Sequence, residues 1–271
     1  MAGSRTVDRD IRRGAAFQAA ERLVDEFANR KGPGAFSAIP RYVVAKGLRE
    51  RIVHPDDVDA RETSLCSPAA LFFALARDRP DAYVRLVISL YEQGSASFGK
   101  WLLKPSAKLL QYIPPGDSDY YYCHPADWIP MASLRNHSNW AREYTSIKDN
   151  GGSSVSDLAQ WFRLAGYREV LDEASDVIRQ SEVNLRKASS LVTQDYHVCL
   201  ALNLHLLYPR YNDKEYRHTA VLMSTVLFHR DTLSFRIYSD GNVFNVPQEG
   251  NPELKLRDFL DNYHGFVACR Y

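Results

Sequence analysis

No stretch of the sequence stays apolar for the roughly 20 residues that a membrane-spanning helix requires, so no membrane span is expected. Nor does an apolar run follow the N-terminus. Met1 to Arg5 lead into Asp8, Asp10 and Arg12, so no cleavable secretory leader is expected. The expected location is the cytoplasm, or outside it by a specialised route that reads no such leader. Charge of one sign is also missing. Lys plus Arg number 34 against 33 Asp plus Glu, a net charge of +1, so no global field recruits nucleic acid or an anionic membrane. Cysteine is sparse. Cys66, Cys123, Cys199 and Cys269 are far apart, with no C-x-x-C pair, which argues against a zinc knuckle and a dense disulfide framework. Cys199 and Cys269 lie in apolar, strand-like runs and are expected to be reduced core residues. No glycine-rich loop follows a predicted strand, which disfavours dinucleotide and nucleotide-phosphate binding. Scattered Cys and His residues disfavour a metal site. No cofactor is expected, and no repeat or low-complexity segment is present.

What remains is an ordinary globular balance. The chain has 271 residues, 45% hydrophobic and 25% charged, enough for one large domain or two small ones. The first part reads as helical. Apolar residues recur at helical spacing over residues 10–30 (Ile11, Phe17, Leu23, Val24, Phe27) and again over 39–53. A further helix is predicted from Cys66 to about Arg77. Asp78-Arg79-Pro80-Asp81 breaks it and starts the next, with Pro80 in the first turn. A short strand or hairpin is expected over 97–103, a weak helix over 104–113, and a short helix within 124–135. Tyr120, Tyr121 and Tyr122 form an aromatic cluster expected to close the edge of a core. Residues 148–154 read as a loop, with Ser154 or Ser156 capping a helix that Gly166 ends.

Beyond Gly166 the pattern turns to strands. They are predicted over 196–207, 218–228 and 233–238, with turns at 229–232 and 239–242. A helix follows over 254–263 and a last strand over 265–269. Helices first and consecutive strands with short turns afterwards imply an α+β fold with an antiparallel sheet.

Three positions carry candidate chemistry. Cys66 sits at the mouth of an apolar helix, where the helix dipole and backbone N–H groups favour thiolate over thiol. Nucleophilic thiol chemistry also needs a base and a group to orient it. Among the eight histidines, His218 starts a hydrophobic strand, so its ring can stand at the rim of a rigid sheet; His197 is the runner-up. His205 reads as a core histidine, and His54, His124, His137, His229 and His264 fall in loops or at element ends. If His229 faces Thr232 across the turn, His218 falls opposite Val243 and Asp240 opposite Val221. A one-residue change in the loop would put Asn242 across from His218. Asp240 is favoured as the orienting group, because a carboxylate both fixes the tautomer and stabilises the imidazolium; Asn242 and Ser239 are the alternatives.

A cysteine on an early helix, a histidine at a strand start and a polar residue on the next strand occur in an order that resembles the papain-like cysteine peptidase superfamily. Cys66-Ser67-Pro68-Ala69-Ala70 looks like the Cys-Gly-Pro-Ala start of the central helix in bacteriocin-processing peptidases. His218-Thr219-Ala220-Val221-Leu222 is similar to the family's histidine strand, and Tyr238-Ser239-Asp240-Gly241 stands where many members carry the third catalytic residue. The resemblance implies a papain-like domain over residues 59–271 behind a helical extension over 1–58. It implies a protein or peptide substrate and a Cys66–His218–Asp240 triad working through an acyl-enzyme. Family analogy further implies a bacterial effector or toxin, with a cognate inhibitor or immunity protein as partner. The sequence departs from the family at Ala60, where a glutamine often supplies an oxyanion donor. The Cys66 N–H, Thr63 or Ser64 would have to replace it, and Ser67 replaces a glycine. Those departures leave a decayed binding protein, a deamidase or a peptidoglycan amidase as alternative expectations.

Overall fold

The computed structural model describes residues 2–61, 63–116, 122–138, 144–146, 153, 155–175, 177–208 and 216–271, residues 2–12 as backbone only. The fold is α+β, and the chain divides into two compact units, Met1–Asn150 and Gly151–Tyr271.

The first unit is mainly helical. Helix α1 (Ala2–Asn29) begins earlier than the periodicity predicts. Helix α2 (Arg41–Val53) starts just after Pro40, and a 3₁₀ turn (Pro55–Asp57) follows it. The Cys66 helix is α3 (Cys66–Asp78), and α4 (Pro80–Gln93) has Pro80 in its first turn and ends at Gly94, φ +63°. Only glycine takes that left-handed conformation at no steric cost. Strands β1 (Ala96–Phe98) and β2 (Trp101–Leu103) form the expected hairpin. The weak helix over 104–113 contracts to one turn, α5 (Ala107–Leu110), where the Ser106 hydroxyl accepts from Leu109 N–H. Helix α6 (Pro125–Ser138) closes the unit and carries Pro130 in its interior. Pro130 has no N–H to offer the carbonyl of Ala126; the Tyr83 hydroxyl donates to that carbonyl instead, at 3.4 Å.

Helix α4 packs against α1, α3 and α6. In α3 every residue from Ser67 to Ala76 is buried, which explains its apolar surface all round. Of the tyrosine cluster, Tyr120 and Tyr121 lie outside the described residues and Tyr122 is exposed. The predicted loop over 148–154 also lies largely outside them.

In the second unit, helix α7 (Val155–Leu164) begins one residue after Ser154, which is outside the described residues, and Ser156 lies inside the helix rather than capping it. An antiparallel sheet of eight strands follows, in the order β3-β10-β4-β5-β7-β6 with β8 and β9 both on β7. The strands are β3 (Arg168–Ala174), β4 (His197–Asn203), β5 (Arg217–Leu222), β6 (Leu227–His229), β7 (Thr232–Ser239), β8 (Asn242–Val246), β9 (Leu254–Lys255) and β10 (Tyr263–Arg270). Alternate residues face one core, including Val198, Leu200 and Leu202 of β4, Ala220 and Leu222 of β5, and Phe235 and Ile237 of β7. Helix α8 (Glu182–Val192), capped by Ser181, adds Leu185, Ala188 and Leu191 to that core. Each buried leucine contributes about 1.5–3 kcal/mol. Helix α7 packs on β3 and β10. The helix predicted over 254–263 shortens to α9 (Leu256–Leu260), because β9 and β10 take its ends.

The expected long strand over 218–228 is broken. Pairs Leu222↔Ile237 and Leu227↔Ser234 enclose four residues on one strand and two on the other. The bulge is held by side chains: Ser224 Oγ accepts from Arg236 N–H at 2.9 Å and Ser189 Oγ from Val226 N–H at 2.8 Å. His229 does face Thr232 as expected. Beyond the bulge, however, β5 pairs with β7 as Val221↔Tyr238, not Val221 with Asp240. The extra residues bring Ser239 and Asp240 closer to His218 than an unbroken hairpin would.

Candidate functional site

Cys66 is the first residue of α3 in the helical unit. Its setting is built by the loop before it. Asp59 accepts from Arg61 N–H at 2.8 Å, and Thr63 N–H donates to Ala60 O at 3.1 Å. The Thr63 hydroxyl donates to Ala60 O at 2.6 Å and accepts from Leu65 N–H at 3.3 Å. Its proton is therefore engaged in shaping the turn. Leu65 caps the helix with no side-chain hydrogen bond. The first N–H groups of α3, those of Cys66 and Ser67, have no acceptor within the helix.

None of the four cysteines is in a disulfide, and Cys66 alone is half-buried rather than buried. Burial, reinforced by the charges of Asp127 and Asp59, pushes the Cys123 thiol well up, and burial alone pushes Cys199 up to about 12. The Cys123 thiol donates to Asp59 O at 3.4 Å. Neither of these two can supply thiolate near neutral pH.

His218 occupies the second position of β5 and is 6% exposed. Two groups beside it come from the turn between β7 and β8, where Ser239 pairs with Asn242. Asp240 and Gly241 fill that turn with φ of +49° and +73°, the two left-handed residues of a type I′ hairpin, for which Asp-Gly is among the preferred pairs. This geometry returns Ser239 and Asp240 to the end of β5. His218 Nε2 lies 2.7 Å from Ser239 Oγ and 3.8 Å from Asp240 Oδ2. Ser239 Oγ donates to Asp240 Oδ2 at 3.0 Å. Tyr208 completes the group, its hydroxyl 3.1 Å from Asp240 Oδ2 and 3.4 Å from Ser239 Oγ. Asn242, the alternative orienting group, instead donates to Asp240 O at 3.0 Å, on the exposed side of the turn.

His218, Ser239 and Asp240 thus stand together in the sheet unit, while Cys66, Thr63 and Ser64 belong to the helical unit. Of the remaining histidines, His197 is buried with its ring edge-on to Tyr167, 5.9 Å between centroids. His205 lies in a 3₁₀ turn rather than inside a strand.

Two features escaped the sequence reading. Tyr208 is one, since nothing in its spacing ties it to a turn thirty residues on. The other is a polar chain where β4 meets the start of β10, buried at Asn203 and His264 and half-buried at Asn262. His264 Nε2 is 3.0 Å from Asn203 Oδ1, and Asn203 Nδ2 donates to Asn262 Oδ1 at 2.9 Å. Leu202, next to Asn203, pairs with His218, so a second hydrogen-bonded histidine stands at the same end of the sheet. An asparagine within an apolar strand was the available signal.

Among the described residues, no helix is long and apolar enough to cross a membrane, and no three His, Cys, Asp or Glu residues converge as a metal ion would require. No family model, no curated protein and no solved structure matches this chain. The papain-like resemblance therefore rests on the residues that carry it.

Proposed function

We propose that the protein is a thiol hydrolase of papain-like type, in which Cys66 is the nucleophile and His218 the general base. The observation that carries this reading is the anchoring of His218: a buried imidazole at a strand start, fixed by a hydroxyl and a carboxylate from a tight turn. A histidine held so has a defined orientation and a charge partner 3.8 Å away for its protonated form. A base that must take and return a proton needs both. Cys66 supports the reading from its side, being the least buried of the four thiols and placed at a helix start.

In the proposed reaction, His218 takes the thiol proton and the Cys66 sulfur attacks an acyl carbon, forming the C–S bond and an oxyanion. Helix-start N–H groups would stabilise that charge. Collapse breaks the C–N bond, and the imidazolium gives its proton to the departing amine. Water, deprotonated by His218, then attacks the thioester carbon; the C–S bond breaks, the carboxylic acid leaves, and the imidazolium returns its proton to the Cys66 sulfur. Peptides are the default substrate; deamidation or cell-wall amide cleavage would share every covalent step.

Alkylation with iodoacetamide across pH, mapped by mass spectrometry, tests the pair. Cys66 should label faster than an ordinary thiol, and His218→Ala should slow it by about tenfold or more. His264→Ala is the control for the neighbouring histidine and should leave the rate unchanged. Labelling of Cys66 at the ordinary rate, or a rate indifferent to His218→Ala, overturns the reading and favours a non-catalytic binding protein.

A further inference from the structure

Between Glu92 and Asp117 the chain has Lys100, Lys104 and Lys108 and no carboxylate side chain, although acids and bases balance over the whole sequence. Glu92 is itself engaged by Arg30 and Arg41. All three lysines are exposed, and among the described residues no ion pair involves them. The β1–β2 hairpin carries the first of them at its tip. Its inner face is fixed within the helical unit, with Ala96, Phe98 and Leu103 buried. Just beyond it, Ser106 N–H donates to Asn136 Oδ1 of α6 at 3.1 Å. Its outer face sets Ser97 opposite Leu102, and Leu102 is 57% exposed. Side chains alternate along a strand, and Lys100 and Lys104 flank Leu102 at the same parity. A large aliphatic side chain thus stands exposed on a rigid support, between two ammonium groups that no carboxylate neutralises.

We infer that the outer face of this hairpin docks the protein on an anionic lipid bilayer, with Lys100, Lys104 and Lys108 at the headgroups and Leu102 in the acyl boundary. The inference is independent of the chemistry proposed for Cys66. Its ground is the combination of the two residue types. Headgroup phosphates and carboxylates attract the lysines, and the acyl chains beneath them take the leucine out of water. Lysine stems are long enough to keep the ammonium groups at headgroup level while the leucine goes deeper. A nucleic acid fits less well. Its binding rests on phosphate contacts joined by stacking on aromatic rings or guanidinium planes, and Ser97, Lys100, Leu102 and Lys104 offer neither.

Co-sedimentation with phosphatidylcholine vesicles, with and without phosphatidylserine, tests the inference. The wild type should bind only the vesicles that contain phosphatidylserine, and added salt should weaken the binding. Lys100→Glu/Lys104→Glu should weaken it by about tenfold or more, since each lysine at such a surface is worth about fivefold. Lys31→Glu/Lys255→Glu makes the same change in net charge at two other exposed lysines and should leave binding near the wild-type level. Leu102→Trp puts a reporter in the acyl boundary, and brominated acyl chains should quench its fluorescence beyond that of the wild type. Every substituted side chain is exposed, so the thermal midpoints should not change. Absence of binding to phosphatidylserine vesicles, or an equal loss in the two lysine pairs, overturns the inference. A Leu102→Trp reporter that brominated chains do not quench overturns it as well, and competition by poly-glutamate then assigns the lysines to an acidic protein.

Discussion

Arg51 holds Asp127 by three contacts inside the helical unit, Nε to both carboxylate oxygens at 3.1 and 3.2 Å and a terminal nitrogen to Oδ2 at 2.7 Å. The side chains are 7% and 0% exposed. Burial works against both charges, pushing the Asp127 carboxyl up to about 6, while Arg51 pulls the other way; Arg51's own pKa is raised, because Asp127, Tyr83 and Glu50 together outweigh its desolvation. The pair is thus ionised at neutral pH. Asp127 Oδ2 also accepts from Asp59 N–H at 3.3 Å, so the ion pair anchors the loop that leads to Cys66.

Removing one partner of a buried pair leaves the other charge uncompensated, at a cost of about 3–5 kcal/mol. Asp127→Ala and Arg51→Ala should each lower the urea midpoint accordingly. The double variant Arg51→Met/Asp127→Leu should cost less than either single change, and a double variant whose cost equals the sum of the singles would contradict the coupling. Because Asp59 shares the carboxylate, Asp127→Asn should also change the labelling rate of Cys66.

His124 gives the fold a pH dependence. Burial, with Arg51 and Lys46 adding repulsion, lowers its pKa to about 3. Its Nδ1 accepts from Ala126 N–H at 3.1 Å at the start of α6, which requires the unprotonated nitrogen. The unfolded chain protonates this histidine near its ordinary 6.5, the folded chain only near 3. Its stabilising contribution is therefore complete above about 6.5 and is lost as pH falls towards 3, at up to about 1.4 kcal/mol per pH unit. Asp127, raised to about 6 from 3.8, has the opposite sign: its folded form holds the proton more tightly, so stability drops as pH rises through that range. The two effects overlap, and the difference between wild type and His124→Asn isolates the first. Asparagine keeps an acceptor for Ala126 N–H, and its urea midpoint should fall less steeply below pH 6.5.

The helices and most strands were legible because their signals are local. Pro80 and Gly94 bound α4, the alternation of Leu233, Phe235 and Ile237 marks β7, and Asp240-Gly241 marks the turn. The missing pieces depend on tertiary context. Strand β3 is half-exposed and charged, with Arg168, Glu169, Asp172 and Glu173, and it is an edge strand held by β10; no periodicity announces it. Strand β8 carries Asn242 and Asn245, poor strand formers, and is formed because the turn delivers it to β7. The bulge at residues 223–226 lies in a nearly continuous apolar run, and the register error it caused put Asp240 opposite Val221. For the same reason the contacts that Ser239 and Tyr208 make beside His218 were not readable from spacing.

Gly47 sets how closely α2 approaches α6. A Cβ there would lie 2.2 Å from His124 Cε1, 2.5 Å from its Nδ1 and 2.8 Å from Ala126 Cβ. Gly47→Ala gains helix propensity of about 1 kcal/mol, but the overlap forces the helices apart, and overpacking of this kind costs about 1–3 kcal/mol. The net expectation is destabilisation, read as a lower urea midpoint. Combining Gly47→Ala with His124→Asn removes the obstructing ring and should recover part of the loss; an equal loss in both backgrounds would place the strain elsewhere.

Asp240 joins two requirements, a left-handed backbone and a carboxylate, and two substitutions separate them. Asparagine tolerates φ of +49° as well as aspartate does, so Asp240→Asn should leave the thermal midpoint nearly unchanged. It removes the charge that Ser239 and Tyr208 point to, so on the proposed mechanism it should slow Cys66 alkylation. Gly241→Ala does the reverse: at φ +73° a Cβ is strained by about 1–2 kcal/mol, while the carboxylate remains. It should lower the midpoint and, if the turn holds, slow alkylation less than Asp240→Asn does. Were Asp240→Asn to unfold the protein and leave labelling of its folded fraction unchanged, the carboxylate would be a part of the turn and not of the site.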